Sequence, residues 1–239
     1  MEAIPFDNLR QKHLVVEEKI DGANSGISFD PETLEMKLQS RGHFLTGGPR
    51  EKHFNLFKQW AAIHESQLMD RLQDRYIAYG EWMYAKHTEF YDKLPHYWME
   101  FDVLDKQTGK FLSTEARRSF WKGLPVVSVP VLAKGRFESL EQLTALIKPS
   151  LYKSSEWKKR LWDAATAQGL STVRVFQETD SSDLAEGLYI KAELGDECCE
   201  RFKFVRAEFV QQIMESTDHW LSRPIIENRL AEGVDIFGG

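Results

Sequence analysis

Only two cysteines occur in 239 residues, Cys198 and Cys199, and they are adjacent. Neighbouring cysteines bridge only with strain, and two thiols cannot complete a four-ligand zinc site. Neither a disulfide framework nor a structural zinc is therefore expected, and reduced thiols fit a cytoplasmic setting. No run approaches 18 apolar residues, which excludes a transmembrane helix. The opening residues Met1 to Asp7 lack a basic segment followed by an apolar run, so no secretory signal is expected. No Pro/Gly/Ser-rich linker, internal repeat or low-complexity tract interrupts the chain. Positive charge is also scarce: 31 Lys and Arg face 37 Asp and Glu, a net of −6. Global charge alone thus argues mildly against a nucleic-acid partner, although the local field at a site decides.

What is present is a substantial core, with 42% apolar and 12% aromatic residues. At roughly 150 residues per domain the length fits one large domain or a medium one with an appendage. Strands are expected at 14–18, 23–29 and 36–40, separated by the turn dipeptides Asp21-Gly22 and Asp30-Pro31. Apolar residues at helical period predict a helix over 54–72. Aromatic and β-branched runs predict strands at 75–84 and 97–104. A helix at 114–122, an edge strand at 126–132 containing Pro130, and helices at 139–148 and 155–168 follow. Strands at 187–193 and 201–205 and a helix at 207–216 complete the pattern. Without regular β-α alternation this is an α+β chain. Charge is uneven: residues 37–58 and 106–124 each carry +4, whereas 178–200 carry −7. The two basic stretches are expected to offer surface to a polyanion.

One constellation carries chemistry. Lys19 ends an apolar strand just before a turn, in Glu18-Lys19-Ile20-Asp21-Gly22-Ala23-Asn24. Burial or nearby cations free a lysine lone pair for nucleophilic attack, and Gly22 would let the backbone approach a ligand. Four further stretches supply partners. Glu81 lies in Tyr79-Gly80-Glu81-Trp82. Glu100 and Asp102 alternate with Phe101 and Val103. Glu186 precedes Gly187-Leu188-Tyr189-Ile190-Lys191, and Arg201 and Lys203 share one face of a strand. Together they provide carboxylates for a hard divalent metal, cations for phosphate and an aromatic ring for a base.

In this order the segments Lys19–Asn24, Ser40-Arg41-Gly42, Gly80–Trp82, Glu100–Asp105, Glu186–Lys191 and Arg201–Arg206 resemble motifs I, Ia, III, IIIa, IV and V of the covalent nucleotidyltransferases. The superfamily comprises polynucleotide ligases and mRNA capping enzymes, and the resemblance spans about residues 14–206. It is closest to the RNA ligase 2 group, which carries asparagine at the Asn24 position where DNA ligases usually carry arginine. The resemblance implies a nucleotidyltransferase domain of antiparallel sheets flanked by helices, occupying 1–239 with no full-size C-terminal domain. It implies an ATP-dependent RNA ligase working through lysyl-AMP with Mg²⁺ or Mn²⁺. Its partners would be RNA ends, nicked or broken, with an end-healing kinase or phosphatase alongside and no membrane. A DNA nick ligase or other nucleotidyltransferase and, in another class, a non-catalytic nucleotide or RNA-end sensor are the alternatives. Retention of Lys19, Glu81, Glu186, Lys191 and Lys203 argues against the sensor.

The implied roles are specific. Lys19 is the nucleophile, kept neutral by Lys191, Lys203 and metal. Glu81 and Glu186 hold metal or ribose. Lys191 and Lys203 contact the α-phosphate, with Arg201 beside them. Arg41 contacts ribose or RNA phosphate. Phe101 stacks on adenine, and Leu188 or Ile190 closes its other face. Asp21 and Asn24 orient the nucleophile and phosphates, while Glu18 and Ile20 flank Lys19 in the nucleotide site.

Overall fold

The computed structural model describes residues 5–215 and 223–238. Eleven strands form one sheet: β1 (Leu14–Lys19), β2 (Ala23–Phe29), β3 (Met36–Ser40), β4 (His43–Phe44), β5 (Tyr76–Trp82), β6 (Trp98–Asp105), β7 (Lys110–Leu112), β8 (Val127–Ser128), β9 (Val131–Gly135), β10 (Gly187–Leu194) and β11 (Glu197–Val205). The order is β4-β3-β2-β5-β6-β7-β11-β10-β1-β9, with β8 beside β6. All pairings are antiparallel except β6 with β8. The helices are α1 (Asn55–Ile63), α2 (Glu65–Leu72), α3 (Thr114–Phe120), α4 (Leu140–Thr144), α5 (Trp157–Ala167), α6 (Thr172–Gln177) and α7 (Ala207–Glu215). The architecture is α+β, as the sequence pattern predicts.

The order dictates the shape. Five strands separate β1 from β2, which in a flat sheet would put them about 29 Å apart. Only Ile20, Asp21 and Gly22 join them in sequence, a reach of about 14 Å. The sheet must therefore curl until the end of β1 meets the start of β2. That curl places residues of β1, β2, β5, β6, β10 and β11 around one concavity.

Three apolar clusters hold the curl. The largest packs Phe57, Trp60, Leu68 and Leu72 of α1 and α2 against Ile27, Phe29, Ala78, Trp82 and Trp98. A second joins Leu14, Val16, Leu188, Ile190 and Ala192 to Leu143 of α4. The third joins Phe90, Trp157, Leu161, Val175 and Ile226. Gly187 is required by sterics: a Cβ there would lie 1.9 Å from the Phe204 carbonyl oxygen.

Several boundaries differ from expectation. The helix over 54–72 divides at His64, where ψ of 12° breaks the helical path between α1 and α2. The strand at 126–132 divides at Val129-Pro130 into β8 on β6 and β9 on β1. Pro130 has no N–H for a ladder, but its carbonyl accepts from Glu18 N at 3.1 Å. α4 is shorter than the predicted 139–148, and α6, β4 and β7 were not expected. Ser216, the predicted end of the last helix, and Met1–Ile4 lie outside the described residues. Among the described residues no helix is long and apolar enough to cross a membrane.

Candidate active site

A cavity of about 380 Å³ opens in the concavity, lined by Glu18, Lys19, Ile20, Asn24, Arg41, Tyr79, Glu81, Phe101, Phe111, Val129, Tyr189, Arg201 and Lys203. Strand periodicity explains the set: Tyr79 and Glu81 share one face of β5, and Arg201 and Lys203 one face of β11. Lys19 Nζ donates to Glu186 Oε2 at 2.8 Å. Asn24 stands opposite Glu81 in the β2–β5 register, and Glu81 Oε1 accepts from Gly22 N at 3.0 Å. Gly22 is needed because a Cβ would lie 2.7 Å from the Trp82 carbonyl oxygen. Its small size thus serves the β1–β2 turn against β5, where the sequence reading assigned it to ligand approach.

The electrostatics centre on Lys19. Burial penalises its charge, but Glu186 and then Glu81 outweigh that penalty and raise its proton affinity. Burial pushes Glu81 up to about 7 and Glu186 up to about 8, against the pull of Lys19. Lys203 is lowered, by burial first and then by Lys19 and Arg41. Two carboxylates and three cations thus converge. In this arrangement the two carboxylates favour the charged form of Lys19.

Several expected contacts fall elsewhere. Leu188 is fully buried on the opposite face of β10, in the core with Leu14, Val16 and Leu143, as is Ile190. The period of two that sends Leu188 away from the cavity brings Tyr189 to it. Lys191 is also fully buried and does not line the cavity. Its ammonium pairs with Glu17 at 2.9 Å and Asp102 at 3.2 Å and donates to the Phe101 carbonyl. Two buried carboxylates thereby hold its charge away from the cavity, which corrects its assignment as a direct phosphate contact. Asp21 likewise turns aside, accepting from Thr88 N at 2.7 Å and Glu89 N at 2.8 Å. Glu18 borders the cavity while its carboxylate accepts from Ser150 Oγ and Leu151 N.

Lys191 belongs to a buried network that the sequence did not announce. Arg117 of α3 forks onto both carboxylate oxygens of Glu100 at 2.7 and 2.8 Å and also pairs with Glu17. Asp102 accepts from Tyr189 Oη and from Arg201, each at 2.8 Å. Arg201 lies 3.4 Å over the Phe111 ring. Glu100 and Asp102 are thereby fastened on either side of Phe101. The basic stretch at 106–124 accordingly offers less surface than its charge suggests: Arg117 is internal and Lys110 pairs with Glu197. Tyr79, Phe111, Tyr189 and Val129 are site residues that sequence reasoning missed. Tyr79, two positions before Glu81 on a strand, was open to the same periodicity argument.

A divalent ion fits the donor set, because the carboxylates of buried Glu186 and half-buried Glu81 are only partly compensated by Lys19. Among the described residues no cluster of three or more His, Cys, Asp or Glu forms a metal cage. The remaining positions would fall to substrate phosphate oxygens and water, as is usual for Mg²⁺.

The family model for RNA ligase matches residues 12–205. Among solved structures, Naegleria gruberi RNA ligase is similar in several forms. A substituted form with ATP and Mn has a TM-score of 0.57 at 16% identity, covering 87% of this chain and 53% of that one. An apo substituted form gives 0.58 at 16%, covering 88% and 54%. The form with PPi gives 0.57 at 17%, with the same coverage of 88% and 54%. At such identities the likeness is one of fold, and the chain spans about half the length of the solved ligases it matches. No curated protein matches it.

Proposed function

Because the chain belongs to the RNA ligase family, we propose that it is an ATP-dependent ligase that joins RNA 3′-hydroxyl and 5′-phosphate ends through lysyl-AMP. The observation that carries this reading is Lys19 at the end of β1, bonded to Glu186 in a nucleotide-sized cavity that also presents Phe101, Arg41 and Lys203. The Naegleria ligase has been solved with ATP, AMP and Mn, and the donor set here suits the same ligands.

Lys19 must first lose a proton. Glu186 Oε2, 2.8 Å away, stands within hydrogen-bond reach to accept it. The freed Nζ attacks the α-phosphorus of ATP. An N–P bond forms, the bond from the α-phosphorus to its bridging oxygen breaks, and pyrophosphate leaves with the electron pair. Lys203 and Arg41 line the same cavity and meet the charge that builds on the phosphate. Phe101 offers a ring face to adenine, with Tyr189 tilted against it at 68°. Glu81, with Glu186 as a second oxygen donor, would hold Mg²⁺ or Mn²⁺; a bound divalent ion neutralises phosphate charge. A 5′-phosphate oxygen of the RNA then displaces Lys19 from AMP. Finally the 3′-hydroxyl attacks that 5′-phosphate, releasing AMP.

Supplying such ends calls for a kinase or phosphatase that heals broken RNA. Both cysteines are free thiols, in keeping with a cytoplasmic setting. The test is incubation with α-labelled ATP and Mg²⁺ followed by denaturing electrophoresis. Label is expected on the wild type and absent from Lys19→Ala; an unlabelled wild type that still binds ATP overturns the mechanism. Nicked duplexes differing only in a ribose or deoxyribose 3′-OH strand separate RNA from DNA sealing.

A further inference from the structure

Two residues beyond Lys19 the chain is held from a distant place. The backbone N–H of Asp21 donates to Tyr91 Oη at 2.9 Å. Asp21 Oδ2 in turn accepts from Thr88 N and Glu89 N. The short turn that carries the nucleophile is therefore fastened to the 84–92 loop by three hydrogen bonds. That loop is irregular and lacks a strand or helix of its own to hold it.

The C-terminal segment 226–231 holds one side of the loop, while Lys153 paired with Glu89, Ser154 N donating to Asp92 and Asp180 N donating to the Thr88 carbonyl hold the other. Asn228, 1% exposed, accepts from Tyr91 N at 2.9 Å through Oδ1 and donates to the Met83 carbonyl at 2.7 Å through Nδ2. Its backbone N–H donates to the Tyr84 carbonyl, and its carbonyl accepts from Tyr97 Oη, both at 2.8 Å. Around it Lys86 N donates to the Ile226 carbonyl, Arg229 N to that of Tyr91, Leu94 N to that of Arg229 and Ala231 N to that of Leu94, all between 2.8 and 2.9 Å. Tyr91 is the joint: its N–H is held by Asn228, and its hydroxyl holds Asp21. A single residue thus links the C-terminal segment to the turn after Lys19.

The geometry points to residues 226–231 as a positioning strap for the nucleophile, with Asn228 and Tyr91 as positioning residues. The strap acts on the β1–β2 turn, whereas Phe101, Tyr189, Arg201 and Lys203 stand on strands it does not touch. Its loss should misplace Lys19 and leave nucleotide binding intact, since small displacements of a reacting group cost rate far more than affinity. For its chemistry this role rests on the ligase reading.

The test uses the full chain carrying Tyr91→Phe, which removes one oxygen, or Asn228→Ala. Both are expected to slow lysyl-AMP formation about tenfold or more while the KM for ATP stays within about twofold. Hydrogen exchange read in parallel should show faster exchange at the amides of Asp21, Thr88, Glu89 and Tyr91 in Asn228→Ala. Loss of folding stability alone would not produce that split between rate and KM. Wild-type rates in both variants, or a raised KM at an unchanged rate, overturn the strap. If the wild type forms no lysyl-AMP, the ligase reading fails. The strap is then decided by exchange, and unchanged protection at those four amides refutes it.

Discussion

Replacing Arg117 by alanine leaves two carboxylates, Glu17 and Glu100, buried with one cation fewer. Both are fully inaccessible, and Arg117 satisfies Glu100 through two hydrogen bonds and Glu17 through a third. Burial opposes the charge of Arg117, but Glu100 and then Glu17 outweigh it and keep the guanidinium protonated. Removing one partner of a buried ion pair typically costs about 3–5 kcal/mol, because the remaining charge is left unpaired. Against a usual total of about 5–15 kcal/mol, that is a large share of the stability. The loss should also depend on pH. Burial already raises the proton affinity of Glu17 against the pull of Lys191 and Arg117, so without Arg117 it binds a proton more tightly still in the folded chain. The penalty is therefore present above the unfolded carboxylate range and shrinks as acid protonates that folded group. Urea unfolding followed by tryptophan fluorescence, at pH 5 and pH 8, measures both effects. Arg117→Ala should lose about 3–5 kcal/mol at pH 8 and clearly less at pH 5, and Glu100→Gln added to it should recover part of the deficit. A loss below about 1 kcal/mol at pH 8, or the same loss at both pH values, would refute the reasoning.

Leu188→Ala should cost about 2–5 kcal/mol in urea unfolding through the cavity it leaves, with the affinity for ATP unchanged by calorimetry. A weakened affinity at full stability would return Leu188 to the nucleotide site. His87 is lowered to about 4 by burial, which outweighs the opposing charge of Asp21. Between pH 6.5 and about 4 the unfolded chain binds a proton that the folded chain does not, so stability falls on acidification by roughly 3 kcal/mol from this group. His87→Gln should flatten the urea-midpoint profile over that interval, and an unaltered slope would assign the dependence to other groups.

The α+β class and most strands were legible because their signals are local: alternation, turn dipeptides and a helical period over α1 and α2. So was the set of residue types at the site, since Lys19, Glu81, Phe101, Glu186 and Lys203 each stand in a short stretch that names its own chemistry. The divided helix at His64 and the divided strand at Pro130 were less legible. Each break depends on which neighbouring strand or core the two halves meet, and a window of sequence holds no record of that.

Direction and pairing were settled by the tertiary structure alone. The sequence places Leu188, Tyr189 and Lys191 on one strand, but only the curl of the sheet decides which face looks into the cavity. Lys191 reads as a phosphate contact until Glu17 and Asp102, distant in sequence, are seen to absorb its charge. Arg117 reads as part of a basic surface until α3 is seen to bury it against Glu100. Asn228, a lone polar residue in a tail, acquires a role only through Tyr91. Residue chemistry is carried by the covalent chain, so sequence alone determined which groups could act. Charge state and orientation follow from burial and from partners brought together across the fold, so only the folded chain decided which of those groups are free to do so.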